Sequence, residues 1–431
     1  MRAEILIKLA FILITFDAFP FHKLGISLSS MPLSYIFIGL FFIANLDNMI
    51  KLKIKKFELS IIMYALFMII FTIITNYRNS FSSLGLNKFI NEFILTFIGY
   101  FSIKLYLQVK KDYKKILKLA INGIKISVFF GIIQFFYIHV MKLNFIFNIL
   151  DKITLDTEYL LWGRISMNFG EPSFIGRYIL LIIIPYLLLI EKKKKSDNIY
   201  ICAFIILGIL SGSTRIVFDI AAGIVVLTFI YYKEIIKKIS LTKIFIGSYI
   251  IILSILIMFV IKPDQVFGQI ENVQERIAII FDKDSGKKDL STECRLSYSL
   301  IGPYSLKEKP FGYGIGNYIY AYRDNIKSVN KNYMGNYELV SVYNREWLSS
   351  FNMYSRFMVE TGILGCLFML ISIIGLFNKV KYNREFTVIL LLNLYNIIQS
   401  DFMAFIPMLI WISIFLCFNN KEKVNGESVI L

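Results

Sequence analysis

The chain has 431 residues, 57% of them hydrophobic, with 47 Lys and Arg against 30 Asp and Glu for a net charge of +17. A soluble domain of this length is nearer half apolar and rarely carries long apolar runs from end to end, so the composition argues against a soluble globular protein. It also argues against a nucleic-acid-binding face, because the basic excess lies in short tracts spread along the chain rather than gathered on one surface.

In chain order, the hydropathy pattern predicts spans at Ile5–Pro20, Ser30–Leu46, Phe57–Thr75, Phe89–Leu107 and Ile116–Val140. After an outer loop it predicts Phe174–Ile190, the short Ile199–Leu210, Ile216–Tyr232 and Ile244–Ile261, and finally Phe357–Phe377, Phe386–Ile398 and Phe402–Phe418. Apolar residues surround these segments instead of forming one stripe, as lipid requires, and each is long enough to cross roughly 30 Å of hydrocarbon with tilt or local thinning. Ile5–Pro20 lacks a small-residue cleavage site and reads as a span rather than a signal peptide. The expected fold is therefore an all-α polytopic membrane protein of about 12 transmembrane helices.

Lysine-rich tracts fall in every second connection: Lys51, Lys53, Lys55 and Lys56; Lys110, Lys111, Lys114 and Lys115; Lys192 to Lys195; Lys233, Lys237 and Lys238; Lys379, Lys381 and Arg384. This positive-inside pattern predicts a plasma (inner) membrane protein with both termini cytoplasmic. Three regions follow: 1–261 with nine spans and an outer loop at 142–172, a large extracytoplasmic loop at 262–351 between spans 9 and 10, and 352–431 with three spans and a cytoplasmic tail. In the first outer loop, Phe145 to Leu150 are suited to the membrane interface. In the second, Val266, Ile270, Val273, Ile277 and Ile280 recur at helical spacing, predicting an amphipathic helix. A further helix is expected to start near Thr292, with Glu293 in its first turn, and to end before Pro310.

Four scattered cysteines and two distant histidines, His22 and His139, offer no metal-ligand spacing, so neither metal nor cofactor is expected. The ionisable residues inside spans are more informative, because such groups are costly in lipid. Asp17 lies toward the outer end of the first span, Lys88 and Glu92 begin the fourth, and Glu171 and Arg177 open the sixth. Arg215 and Asp219 open the eighth, Arg356 and Glu360 the tenth, and Asp401 precedes the last. All are expected on the outer side, which implies a polar cavity open to that face. Each i, i+4 pair is also compatible with a self-satisfied structural salt bridge. Lys8, Lys104 and Lys125, on the inner side, are expected to snorkel.

Three stretches carry a resemblance. The first is Gly163-Arg164 through Gly170-Glu171-Pro172-Ser173, leading into a span; the second is Ser211-Gly212-Ser213-Thr214-Arg215. The third is the large loop and its exit, with Arg295, then Pro310-Phe311-Gly312-Tyr313-Gly314-Ile315-Gly316, Ser350-Phe351-Asn352, and Glu360-Thr361-Gly362. In order, spacing and position these resemble the O-antigen polymerase and ligase superfamily, the Wzy-type enzymes of bacterial surface polysaccharide assembly. The resemblance implies a metal-independent glycosyltransferase that joins polyprenyl-diphosphate-linked oligosaccharide units at the outer face of the membrane. Its implied partners are that lipid-linked oligosaccharide and the lipid bilayer, with room for a chain-length regulator and a flippase, and no nucleic acid.

A lipid-diphosphate leaving group requires fixed cations where negative charge develops, and arginine binds phosphate oxygens bidentately while staying charged. The resemblance thus implies Glu171, Arg215 and Arg295 as catalytic residues, with Arg164, Arg177, Asn352, Arg356, Glu360, Tyr313 and Tyr318 contacting substrate. Glu171 is open to three roles: orienting an arginine, holding an acceptor hydroxyl, or acting as general base on it. Pro172 fixes the helix start after it, so simple capping is a fourth. Gly312, Gly314 and Gly316 read as a tight turn, not a nucleotide fingerprint, for want of a strand-helix context. The tyrosines around them suit either stacking on sugars or an aromatic interface belt.

Where ligases of the superfamily carry a histidine, this chain has Phe351. That departure favours a polymerase over an O-antigen ligase. The remaining alternative, a lipid-linked-oligosaccharide flippase or other transporter, usually has short loops on both faces rather than one dominant outer loop.

Overall fold

The structure, a computed structural model, describes residues 2–25, 31–76, 82–238 and 290–417. The expected ninth span, the amphipathic helix at Val266 to Ile280 and the cytoplasmic tail lie outside the described residues.

The described residues are helical, with one isolated bridge between Phe19 and Met31 in place of any sheet. In chain order the helices are α1 (Arg2–Ile12), α2 (Ser34–Ala44), α3 (Leu46–Ile50), α4 (Lys56–Asn76), α5 (Ser83–Lys110) and α6 (Tyr113–His139). Next come α7 (Asn144–Ile153), α8 (Glu158–Leu161), α9 (Pro172–Leu189), α10 (Lys195–Leu210) and α11 (Thr214–Lys238). The last are α12 (Leu290–Glu308), α13 (Tyr318–Val329), α14 (Tyr337–Val342), α15 (Met353–Val380), α16 (Arg384–Ile398) and α17 (Ile406–Cys417). Among the described residues six helices are long and apolar enough to cross a membrane: α4, α5, α6, α9, α11 and α15. The chain is thus a helical membrane protein. Shorter apolar helices, α2 and α17, stand where two further spans are expected.

Helix starts follow side-chain chemistry. Ser82 accepts the Gly85 N–H at 2.9 Å ahead of α5, Asp112 accepts that of Lys115 at 3.0 Å ahead of α6, and Asn352 accepts that of Ser355 at 3.1 Å ahead of α15. Midway along α9 the ladder widens into a π turn over Ile179–Ile183, two residues before Pro185, whose missing N–H cannot continue an α-helical ladder. The helix expected near Thr292 is α12, which begins two residues earlier and keeps Glu293 in its first turn.

The chain divides into two compact units, each assembled from separated segments. The first comprises Met1–Phe41, Asp112–Lys283 and Asn383–Leu392. In it α1 and its following turn lie on α6, close enough at Gly123 that a Cβ would strike the Ile12 carbonyl, and Thr15 donates to the Gly123 carbonyl at 3.3 Å. Lys125 of α6 pairs with Asp197 of α10 at 2.7 Å, and Tyr186 of α9 donates to the same carboxylate at 2.6 Å.

The second unit comprises Phe42–Lys111, Asp284–Tyr382 and Asn393–Leu431. Its α12–α14 region closes on a core of Tyr298, Ile301, Tyr318, Tyr322, Ile326 and Leu339. The glycine-rich turn is built as expected, with positive φ at Gly312, Gly314 and Gly316 (85°, 88° and 78°). Its backbone hydrogen-bonds an interruption in α15: Tyr313 N–H donates to the Val359 carbonyl at 2.7 Å, Gly314 N–H to that of Glu360 at 3.1 Å, and Ile363 N–H to that of Pro310 at 2.8 Å. The interruption sits at Gly362, with φ 62° and ψ −150°.

Lys104 departs from expectation. Instead of snorkelling it is fully buried, its ammonium 2.6 Å from Glu58 and 2.8 Å from the Lys53 carbonyl, with Tyr100 donating to the same carboxylate. A partner 46 residues away supplies the countercharge that snorkelling would have sought in water.

Candidate functional site

In the first unit two of the motif stretches meet. The loop 163–173 leaves α8 through Gly163, which has φ 71°, and turns again at Met167, with φ 55°. Gln134 of α6 grips this second turn, accepting the N–H groups of Ser166 and Met167 at 3.1 and 2.7 Å and donating to the Met167 carbonyl at 2.6 Å. Asn168 donates to Thr15 at 3.0 Å, and Gly170 N–H donates to Asp17 at 2.9 Å. The loop is thereby held by polar groups from α6 and from the turn after α1. It reaches the Ser211–Arg215 element through Arg164, whose Nε donates to the Ser211 carbonyl at 3.1 Å. The Arg164 guanidinium also lies over the Tyr159 ring.

Charge gathers at this junction. Arg177 is buried on the first turns of α9, 4.2 Å from the Phe174 ring centre, and interacts electrostatically with Asp17, Glu171 and Asp219. Arg215, also buried, lies 3.6 Å from Asp219 one turn later on α11. Asp219 is packed so closely on Gly176 that a Cβ there would overlap its carboxylate. Glu171 is half-buried, in an extended conformation ahead of Pro172, and accepts from Ser173 at 2.6 Å. The unit therefore concentrates two buried guanidiniums and three carboxylates, with Arg164 at its edge. Charges in such surroundings persist only when compensated by one another or by a ligand.

The other candidates belong to the second unit. Arg356 makes a tight network: Nη1 lies 2.8 Å from Glu92 and 2.7 Å from the Asp401 carbonyl, and Nε lies 3.3 Å from Glu360. Glu92 also accepts from the Met403 N–H. Asp401 accepts from Ser349 at 2.7 Å and from the Ser350 N–H at 2.6 Å. Asn352, besides capping α15, donates to Ser299 at 3.1 Å. Arg295 is half-buried on α12, and its guanidinium joins no hydrogen bond or ion pair among the described residues.

Tyr313 and Tyr318 are core residues, 5% and 1% exposed, so their rings are covered by protein. Tyr318 donates to the Tyr298 carbonyl at 2.5 Å. Burial holds both phenols above their ordinary range, so neither is a base near neutral pH. Lys88, four residues before Glu92, stands over the Trp347 ring at 3.6 Å instead of pairing with that glutamate.

From sequence Asp17 and Asp219 stand out only as charges in spans, not as members of the site, and Gln134, Asn168 and Thr15 do not stand out. A lone carboxylate in an apolar run was the available signal for Asp17; nothing local distinguishes Gln134 as the residue that shapes a loop 33 residues on. Among the described residues no group of three or more His, Cys, Asp or Glu side chains is arranged to hold a metal ion. Compared with known families and with curated proteins, the chain matches none.

Proposed function

We propose that the protein is a metal-independent glycosyltransferase that polymerises polyprenyl-diphosphate-linked oligosaccharide repeat units at the outer face of the plasma membrane. In this reading the chain crosses the bilayer twelve times with both termini in the cytoplasm, and its product is a surface polysaccharide. The observation that carries it is the meeting of the loop 163–173 with the Ser211–Arg215 element, where Arg177 and Arg215 are buried beside Asp17, Glu171 and Asp219. These are the two stretches in which the resemblance to Wzy-type enzymes is concentrated within that unit.

The chemistry is a displacement at the anomeric carbon of the donor. An acceptor sugar hydroxyl forms the new C–O bond, the bond to the diphosphate breaks, and polyprenyl diphosphate leaves with the electron pair. The hydroxyl proton passes to a carboxylate, for which half-buried Glu171 is the candidate. The developing diphosphate charge is met by guanidinium groups, with Arg215 and Arg177 supplying them from the first unit. Arg295, which the resemblance implies as a further catalytic cation, belongs to the second unit, and its guanidinium joins no carboxylate among the described residues. Arg356, held by two carboxylates and a carbonyl, suits an architectural role better than phosphate binding.

The test is polymer length and amount in membranes carrying Arg215→Ala, Arg295→Ala or Glu171→Gln in chains shown to be folded. Loss of polymer by at least tenfold in the arginine variants is expected. Unchanged polymer in both would remove the assignment, and transport of labelled lipid-linked units without elongation would replace it with a flippase.

A further inference from the structure

One end of the second unit holds a second cluster of cations that the proposed reaction does not use. It lies where α4 begins and where α15 and α17 end. Lys55 donates its ammonium to the Leu416 carbonyl at 2.7 Å, and Lys379 donates to the same oxygen at 3.4 Å. Leu416 is in the last described turn of α17. Two like charges therefore converge on one neutral acceptor.

Each ammonium carries three N–H donors, and a single carbonyl oxygen cannot occupy them. The nearby carboxylate is already committed. Glu58 accepts from Lys104 at 2.6 and 2.8 Å, from the Lys55 backbone N–H at 2.7 Å, and from Tyr100. Among the described residues neither Lys55 nor Lys379 has a carboxylate within ion-pair distance. Among the described residues, Lys55, Lys104 and Lys379 against Glu58 leave two positive charges in excess. Both α4 and α15 are long and apolar enough to span the bilayer, so the end of each lies at headgroup depth.

We propose that this convergence is a binding site for a phosphate group, supplied by the headgroup of an anionic phosphodiester lipid. A phosphate has several oxygens to accept the remaining ammonium donors, and its charge relieves the repulsion between them. Lysine acts here as a point charge on a flexible stem, which suits a headgroup arriving laterally in the membrane. The buried Lys104–Glu58 pair fixes the start of α4, and with it the backbone that carries Lys55. This site is independent of the transferase reading.

The experiment uses the full-length chain, delipidated in detergent, then equilibrated with equal amounts of phosphatidylglycerol and phosphatidylcholine. The retained lipid is counted by mass spectrometry. The wild-type chain is expected to keep phosphatidylglycerol in preference, and Lys55→Gln with Lys379→Gln to weaken that preference by about fivefold per lysine. Lys55→Arg with Lys379→Arg should keep it. Lys51→Gln, which removes a charge from the same tract but not from the cluster, should leave it unchanged. Equal retention of both lipids by the wild type would overturn the proposal, even if the double variant failed to fold. So would an equal loss in Lys51→Gln, which would mean only diffuse attraction. Displacement of the lipid by millimolar inorganic phosphate would overturn the lipid source in favour of a soluble anion.

Discussion

Arg164 donates its Nε–H to the carbonyl of Ser211 at 3.1 Å, so a residue of the Gly163–Ser173 loop is fastened to the turn that presents Arg215. A side chain chosen from sequence as a phosphate contact thus also joins the two elements that frame the charge cluster. Arg164→Ala is expected to lower activity by loosening that junction, and Arg164→Gln, which keeps a donor, to recover part of it. Polymer formation measured alongside thermal denaturation checks this; equal activity in both variants and in the parent would remove the linking role.

Gly176 is where α9 lets Asp219 approach. A methyl group added there meets the Asp219 carboxylate, so Gly176→Ala forces that side chain away from Arg215. The expected cost is about 1–3 kcal/mol of stability, the usual range for overpacking, with a disproportionate loss of activity because the charge cluster itself is displaced. Measuring both in the same preparation separates the two effects.

Arg356 is expected to act through stability. Its removal leaves Glu92 and Glu360 buried without their common cation, and breaking a buried pair in this way costs about 3–5 kcal/mol. Arg356→Ala should therefore fail to accumulate or should denature well below the parent in detergent. A fully stable but inactive Arg356→Ala protein would return this residue to the substrate-binding set.

Gly362 interrupts α15 in a backbone region open essentially to glycine alone, and a Cβ would meet the Pro310 carbonyl and Phe311. Gly362→Ala is expected to destabilise the second unit by about 3 kcal/mol or more, since strain and collision add. Gly375, on the same helix with open space around it, is the matched control, and Gly375→Ala should be neutral or slightly stabilising.

Lys23, in the turn after α1, lies 2.9 Å from Asp151 of α7, and its hydrogen bond holds that carboxyl below its ordinary value. A depressed carboxyl pKa contributes stability that is present above the ordinary value and is lost as pH falls through the lowered one. The pair is partly exposed, so the contribution is under about 1 kcal/mol. Asp151→Asn should lower thermal stability slightly at neutral pH, and the difference from the parent should vanish in acid. A difference that grew on acidification would contradict the assignment.

Much of the helical framework was legible because lipid demands long apolar segments: Phe57–Thr75 and Phe357–Phe377 fall inside α4 and α15, and Ile116–Val140 overruns α6 by one residue. Local charge pairs were legible too, since Arg215 with Asp219 and Arg356 with Glu360 are set by helical spacing. What spacing cannot show is the distant partner. Glu92 was read beside Lys88, yet its cation is Arg356, 264 residues away. The tyrosines around the glycine turn read as a belt or a sugar platform, whereas Tyr313, Tyr318, Tyr322 and Tyr333 pack as a core and Tyr337 stays exposed. Their apolar rings and single hydroxyls suit either setting, and only the tertiary fold decides between them.

The most direct measurement places the purified full-length chain in liposomes with its lipid-linked repeat unit, without added metal or nucleotide, and resolves the products on a gel. A ladder of multimers that is lost with Arg215→Ala is expected. Repeat units that stay single, with protein shown to be folded, would contradict it.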